Sequence, residues 1–229
     1  MKGGKYMDNM LFLYNRQPWK TASFYNNNYS NNPVRSSYKN LVTMNQTQPS
    51  VINSPPLYYS VDVTVELAKS LEGKYFVGVA ENIEFGNATN AWARLYNPPD
   101  SGVNLFVNVW TVSDVTSSPV RVQIYFNSTP PGLIQESFDV SPSNTAINPL
   151  PQPKVKLEYA IATKGFPTGG VRTFGRSGPA GVTIASEENG KFIFPPGGSF
   201  LVFLGNPETP TMLASGRIAF GWWEEPIQQ

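Results

Sequence analysis

Apolar and polar residues alternate along most of the chain after residue 57. The alternation is longest at 103–111 and at 120–126, where aliphatic side chains take every second position. A period of two indicates β-strands with one buried face. We predict that these two strands form an antiparallel pair at the centre of the core. In the first strand the intervening residues should face away from the core: Asn104, Phe106, Asn108 and Trp110. We expect the two aromatic ones, Phe106 and Trp110, to be covered on that face or to lie at an interface.

The same period recurs at 61–67 and 155–161, and further short segments between turn signals predict the remaining strands, at 75–80, 91–96, 171–174, 182–185, 191–194, 199–204 and 217–223. The Asn189-Gly190 dipeptide favours a type I′ hairpin, and we expect the strands 191–194 and 199–204 to pair across the turn between them. Beside the strand at 155–161, three charged residues should lie outside: Lys154, Lys156 and Glu158. Residues 70–73 are compatible with a single helical turn at most.

Roughly nine to eleven short strands with turn signals between them predict an all-β fold. A long connection at 130–153, rich in Pro, Ser and Asn, is typical of a crossover between sheets. We therefore predict a single jelly-roll-like β-sandwich at 58–229, preceded by an extended N-terminal arm at 1–57.

The N-terminal arm (residues 1–57) differs from the rest of the chain in composition and charge. It contains ten asparagines, eight aromatic residues and six bases, but a single acid, Asp8. The arm is therefore near +5 and the remainder near −4, since the whole chain has 17 bases and 16 acids. The tract 24–33 has no apolar period and is biased toward Asn and Tyr. A reaching segment attached to a folded module is the expected organisation.

One run in the arm is apolar on both faces and has strand length: Met10, Leu11, Phe12, Leu13 and Tyr14. We refer to these residues, 10–14, as the apolar pentad. Such a segment gains most by adding to a sheet edge or filling a groove of another sandwich. The spacer of about forty residues behind it reaches about 35 Å if flexible, which spans a small domain. We predict that the apolar pentad contacts a neighbouring subunit, and that Trp19 and Trp223 belong to the same interface.

Composition excludes several kinds of chemistry. The chain has no cysteine and no histidine, which removes disulfides, thiolate chemistry and the commonest base and metal ligand. Adjacent acids occur at 187–188 and 224–225, but neighbours on a strand face opposite ways, so we interpret both pairs as solvated charge. The Gly-rich turns lack the helix and lysine of a phosphate site. We predict no catalytic residues, no metal and no cofactor, and hence no enzyme.

The net charge of +1 and the low content of charged residues argue against a dedicated nucleic-acid partner. No apolar run is long enough to span a membrane, and the N-terminus lacks the apolar region of a secretory signal. Residues 1–6 are compatible with a translated ribosome-binding site, so we expect Met7 to be the start of translation.

The folded part resembles uncharacterised Firmicutes proteins through five motifs: GKYFVG at 73–78, TNAW at 89–92, GVNLFVNV at 102–109, FIFPPGGSF at 192–200 and AFGWWEE at 219–225. The resemblance covers most of the sandwich and not the arm. In plan, a connector followed by a jelly roll, the chain also resembles subunits of bacterial endospore appendages, although those use cysteine cross-links. The resemblance implies synthesis in the mother cell and deposition on the spore or cell surface.

The leading hypothesis is a non-enzymatic structural subunit that self-assembles into a fibre or surface layer, with copies of itself and other surface proteins as partners. A second hypothesis is a carbohydrate- or surface-binding module using exposed aromatic residues, for which Trp92, Trp110, Trp222 and Trp223 are candidates. A third is a jelly-roll virus coat protein whose basic arm faces nucleic acid.

Overall fold

The computed structural model describes residues 62–113, 115 and 119–227. The apolar pentad and Trp19 lie outside the described residues. The described part contains a short helix and eleven strands: α1 (Val65–Leu71), β1 (Tyr75–Gly86), β2 (Asn90–Tyr96), β3 (Val103–Ser113), β4 (Val120–Phe126), β5 (Gln135–Glu136), β6 (Val140–Pro142), β7 (Lys156–Thr163), β8 (Val171–Gly178), β9 (Ile184–Phe194), β10 (Ser199–Gly205) and β11 (Leu213–Pro226).

The strands form two antiparallel sheets packed face to face. Sheet I has the order β6-β1-β11-β3-β9, and sheet II has the order β5-β7-β2-β10-β4-β8. Without the short strands β5 and β6 and the added β7, the orders are β1-β11-β3-β9 and β2-β10-β4-β8. Successive long strands therefore alternate between the two sheets, except for β4 and β8, which are neighbours in sheet II. This is the arrangement of the two Greek keys of a jelly roll. The prediction of an all-β, jelly-roll-like sandwich is confirmed.

The inner faces of both sheets form one hydrophobic core. Its largest fully buried members include Trp110 and Trp222 from sheet I and Phe200 from sheet II. Phenylalanines pack edge-on across the layer, with the ring centroids of Phe126 and Phe194 5.0 Å apart. Each such side chain stabilises the fold by about 1.5–3 kcal/mol through burial. The core needs no covalent staple.

Two predicted strand pairs are wrong. β3 lies in sheet I between β11 and β9, whereas β4 lies in sheet II between β10 and β8. Similarly, β9 and β10 are consecutive but belong to different sheets. The period of two shows that a segment is a strand with one buried face, but it carries no information about the hydrogen-bonded neighbour. In a jelly roll, consecutive strands face each other across the core instead of pairing.

The predicted strand at 61–67 is also wrong, because residues 65–71 form α1. Thr64 caps the helix, and its Oγ1 accepts a hydrogen bond from the Leu67 amide at 3.3 Å. Glu66 in the first turn and Lys69 in the last turn both suit the helix dipole. The apolar residues at 63, 65 and 67 fit a strand, but those at 63, 67 and 71 fit one side of a helix equally well. None of the α1 side chains is buried.

The Asn-Gly dipeptide does not form a hairpin. β9 runs without interruption from Ile184 to Phe194, and the predicted strands 182–185 and 191–194 are parts of it. Asn189 and Gly190 adopt the positive φ values, 51° and 71°, that this dipeptide favours. They use them in a bulge in which residues 188–191 lie opposite Asn108 of β3 alone. Two consecutive residues with positive φ can thus form a bulge within a strand as well as a hairpin turn.

The segment between β4 and β8 covers the same edge of both sheets. β6 pairs with β1 in sheet I, and β7 pairs with β2 in sheet II. Connecting the two sheets in this way agrees with the crossover predicted at 130–153. Lys154 and Lys156 are exposed as predicted. Glu158 is not, because it is buried in an ion pair with Arg94, with 2.6 Å between Nη2 and Oε2.

Glu224 fastens this segment to β11. Its carboxylate is buried and accepts hydrogen bonds from the amides of Lys154 at 2.9 Å and Val155 at 3.1 Å, and from the Trp222 indole at 3.1 Å. The interpretation of this acid as solvated charge is therefore wrong. Burial raises the pKa of Glu224 above its ordinary value, although the hydrogen bonds act in the opposite direction.

Removing this carboxylate should destabilise the domain strongly. Glu224→Ala leaves two amides and an indole N–H without their acceptor, and each unsatisfied buried donor costs about 1–3 kcal/mol. We expect a loss of at least about 3 kcal/mol in the free energy of unfolding, measured by urea denaturation. The matched control is Glu225→Ala on the same strand. Glu225 makes part-exposed ion pairs with Lys69 and Lys74, so we expect a loss below about 1 kcal/mol. Equal losses for the two variants would contradict this account.

Candidate functional site: an apolar groove on the outer face of sheet I

The outer face of sheet I carries an open groove of about 620 Å³. Its floor consists of two rows of small or β-branched residues that lie side by side on β1, β11 and β3. The rows follow from the strand register: Val77, Gly221 and Val109 in one, Val79, Ala219 and Thr111 in the other. Val77 is 43% exposed. The groove is therefore an apolar surface of the sheet that the described residues leave uncovered.

A bulge in β3 determines which residues reach this floor. Leu105 and Val107 point into the core, but after Asn108 the inward residues are Trp110 and Val112. The register shifts at this point in the pairing with both β11 and β9. The prediction that Val109 and Thr111 face the core with Leu105 is therefore wrong. The prediction for Trp110 is also wrong, since its side chain is fully buried in the core.

Aromatic rings close one end of the groove. The Trp223 ring is stacked with Phe106, with centroids 5.4 Å apart, and with Tyr75 at 6.5 Å. Phe106 is thus covered on the outer face, as predicted. The Tyr75 hydroxyl accepts a hydrogen bond of 2.8 Å from Nδ2 of Asn108. A Cβ at Gly221 would lie 2.5 Å from this hydroxyl. Glycine at 221 is therefore required by the position of Tyr75, and it keeps the floor low.

Residues 137–140 form the rim on the side of β6. The Val79 amide donates to the Asp139 carbonyl at 3.0 Å, and the Ser137 Oγ donates to the Val79 carbonyl at 2.7 Å. These bonds fix the backbone on both sides of Phe138. The Phe138 side chain is nevertheless 88% exposed. The backbone thus holds a large apolar side chain at the edge of the groove, where the described residues leave it almost uncovered.

Glu188 anchors the bulge of β9 next to this face. Its carboxylate accepts hydrogen bonds from the Trp110 indole at 3.0 Å and the Ser186 hydroxyl at 2.8 Å, and it pairs with Lys191 at 2.8 Å. It is buried, so the interpretation as solvated charge is wrong for Glu188, whereas Glu187 is exposed. Burial raises the pKa of Glu188, but the hydrogen bonds from Lys191, Ser186 and Trp110 outweigh it and hold the pKa below its ordinary value.

The tryptophans proposed for sugar stacking are all buried. Trp92, Trp110 and Trp222 are fully buried, and Trp92 donates its indole N–H to the Pro131 carbonyl at 2.7 Å. Trp223 faces outward, as expected for one of two neighbours on a strand, but it is only 5% exposed because its own chain covers it. It therefore closes the end of the groove and offers little surface to a second subunit.

A second cavity, of about 470 Å³, lies on sheet II beside β8. It is polar, and three arginines line it: Arg121, Arg172 and Arg176. Arg121 is paired with Glu208, and the Arg176 guanidinium lies over the Phe174 ring at 5.1 Å. Within the described ranges, no three acidic side chains approach closely enough to hold a metal ion. No helix among the described residues is long and apolar enough to cross a membrane.

The pKa of Glu188 gives a testable pH dependence. A carboxylate whose pKa is lower in the folded state stabilises the fold above its ordinary pKa of 4.5, and this contribution is lost as the pH falls through the folded value. The difference in unfolding free energy between wild type and Glu188→Gln should therefore shrink between about pH 6 and pH 3. Denaturant titrations across this range measure it. Glu187→Gln, at the exposed neighbouring position, makes the same change of charge outside the buried site and is the matched control. If the difference in unfolding free energy between wild type and Glu188→Gln increased as the pH fell, this account of Glu188 would be refuted.

Packing of Trp223 on the β9 bulge gives a second prediction. A Cβ at Gly190 would overlap the Trp223 ring, and φ at this position is +71°. Gly197 also has a positive φ, +85°, but has open space around it. Gly197→Ala should cost about 1–2 kcal/mol from backbone strain alone. Gly190→Ala should cost about 1–3 kcal/mol more, because the ring must move. Thermal and urea unfolding of the two variants measure the difference, and equal destabilisation would contradict the packing.

Comparison with known proteins places the chain in a family but adds no activity. No curated protein and no solved structure is significantly similar to it. One family model matches residues 56–229, so the match includes the sandwich and leaves out nearly all of the N-terminal arm. That match covers well over half of the chain. The protein belongs to this family, which is described as a family of unknown function (DUF6143).

Proposed function

We propose that the protein is a non-enzymatic structural subunit that self-assembles into a fibre or layer on a spore or cell surface. In this proposal the N-terminal arm of one copy docks as an extended strand into a groove of the next sandwich. The partners are further copies and, in a surface layer, other surface proteins. The proposal includes no nucleic acid and no cofactor.

The observation that carries this proposal is the open apolar groove on sheet I. Most aromatic side chains of the sandwich are buried in the core or covered by one another. The apolar floor and the exposed Phe138 beside it offer an apolar segment a place to dock. The chain also supplies a matching segment, since the apolar pentad has strand length and no apolar neighbours in sequence.

The roles of the conspicuous polar residues support a structural function. Glu188, Glu224 and Glu158 are each held by donors of the same domain. Glu188 fastens the bulge of β9, Glu224 fastens the segment 127–170 to β11, and Glu158 links β7 to Arg94 of β2. Carboxylates occupied in this way stabilise the fold and are poorly placed to transfer protons to a substrate.

The geometry of such a contact favours extended assemblies. An arm that docks into a different surface of the next copy makes a heterologous contact, which gives a filament or, if the rotation closes, a ring. The excess of bases in the arm and of acids in the remainder adds modest electrostatic complementarity between copies.

Imaging the full chain and a truncated chain tests this function. Full-length protein should form filaments or sheets in negative-stain images, and removal of residues 1–20 should abolish them. A full-length variant with Leu11→Ser and Leu13→Ser should behave like the truncation, because it keeps the length and charge of the arm but not its apolar surface. Monodisperse monomers of the full-length protein, by light scattering and by imaging, would rule the proposal out.

The carbohydrate-binding alternative is less well supported by the described residues. Its candidate tryptophans are covered, so a sugar would have to use isolated side chains such as Phe138 and Phe166, which are 88% and 62% exposed. A coat protein with a nucleic-acid-binding arm rests only on the six bases of the arm. Filament loss on removal of the apolar pentad would separate assembly from both alternatives.

A further inference from the structure

The groove on sheet I has the dimensions of a short extended segment. Its lining comes from four adjacent strands, β6, β1, β11 and β3. With about 4.8 Å between neighbouring strands, the groove is about 14 Å wide across them. An extended segment of five residues is about 17 Å long. A segment of this length therefore reaches across all four strands of the groove.

The walls of the groove favour a segment that is apolar on both faces. The floor offers Val77, Val79 and Val109, and the exposed Phe138 belongs to the lining on the side of β6. A segment in the groove would place one face on the floor, and Phe138 offers a further apolar contact. A strand with alternating polarity would place a polar row against one of these surfaces. The apolar pentad, with five consecutive apolar or aromatic residues, satisfies both.

Charge at the groove agrees with the same occupant. Among the described residues that line it, Asp139 is the only ionisable one, and the exposed Glu187 is paired with Val109 in the register of β9. In the arm, Arg16 and Lys20 follow the apolar pentad. Asp8 lies at the same distance before the pentad as Arg16 lies after it, so the charges near the groove favour one direction of the segment and contribute to orientation more than to affinity.

From these observations we infer that the groove formed by β6, β1, β11 and β3 binds the apolar pentad (residues 10–14) of a second copy of this chain. This inference rests on the proposed function and names its receptor surface. The spacer behind the pentad reaches about 35 Å, close to the diameter of a domain of this size, so the groove of the next copy is accessible. Burying the pentad and Phe138 together removes several large apolar side chains from water, which favours the contact.

Cysteine cross-linking tests the inference directly, because the natural chain has no cysteine. Full-length Leu13→Cys is mixed with full-length Ala219→Cys and oxidised. Ala219 lies at the centre of the floor, and the substitution adds one sulfur atom toward the open groove. We expect a disulfide between the two variants, and the double variant should give a ladder of multimers. The matched control is Ser177→Cys, exposed on the edge strand β8 of sheet II, which should cross-link to Leu13→Cys at least tenfold less.

Two cross-linking outcomes would overturn the inference. If Leu13→Cys reacts equally well with Ser177→Cys, the pentad does not select the groove. If the double variant yields only internally linked monomers, the occupant is the arm of the same chain. A further variant, Ala219→Trp, fills the groove and should abolish filaments without lowering the unfolding temperature. If Ala219→Trp still forms filaments, and these are lost when residues 1–20 are removed, the groove is not the receptor surface but the proposed function stands. Wild-type protein without filaments would refute both.

Discussion

The structure depends on one constraint, the bulge at Asn108 in β3. Side chains of a strand alternate between two faces, so one inserted residue exchanges the faces for everything beyond it. Here the exchange sends Trp110 into the core and brings Val109 to the outer face. The indole of Trp110 then meets Glu188, which in turn holds the bulge of β9. Gly190 in that bulge supports the Trp223 ring. The core, the aromatic cluster and the groove floor all follow from the same displaced residue.

The sequence could predict the strands and the fold class, but not their pairing or the bulge. The strands predicted at 75–80, 91–96 and 199–204 are confirmed, because short apolar runs between turn residues are a local signal. Pairing of β3 with β11 and β9 depends on residues far away in sequence. The bulge is hidden because Val107, Val109 and Trp110 are all apolar, so either face assignment gives a plausible strand. Asn108 gives no signal of the bulge either, because it fits the period of two together with Asn104.

The buried carboxylates show why the site could not be predicted fully. Glu188 and Glu224 each stand beside a more exposed acid, and composition alone indicates solvated charge. Their partners, Trp110 and the amides at 154–155, are distant in sequence and are brought near by the fold. Burial disfavours both carboxylates, but only Glu188 has a lysine partner in addition to neutral donors. This difference explains why the pKa of Glu188 is lowered while that of Glu224 is raised.

Two adjacent parts of the outer face of sheet I differ in a way that argues for a receptor surface. At one end Trp223, Phe106 and Tyr75 cover each other, so large apolar groups on this face are buried within the chain. Next to this cluster the same strands carry only Gly, Ala, Val and Thr in the groove floor, and Phe138 is held at the rim but left exposed. Gly221 is required by the Tyr75 hydroxyl, so the cluster also lowers the floor of the groove. A face built only for stability would bury Phe138 on this floor. Leaving the floor and Phe138 exposed forgoes the free energy of burying these apolar surfaces, which a docked segment would restore.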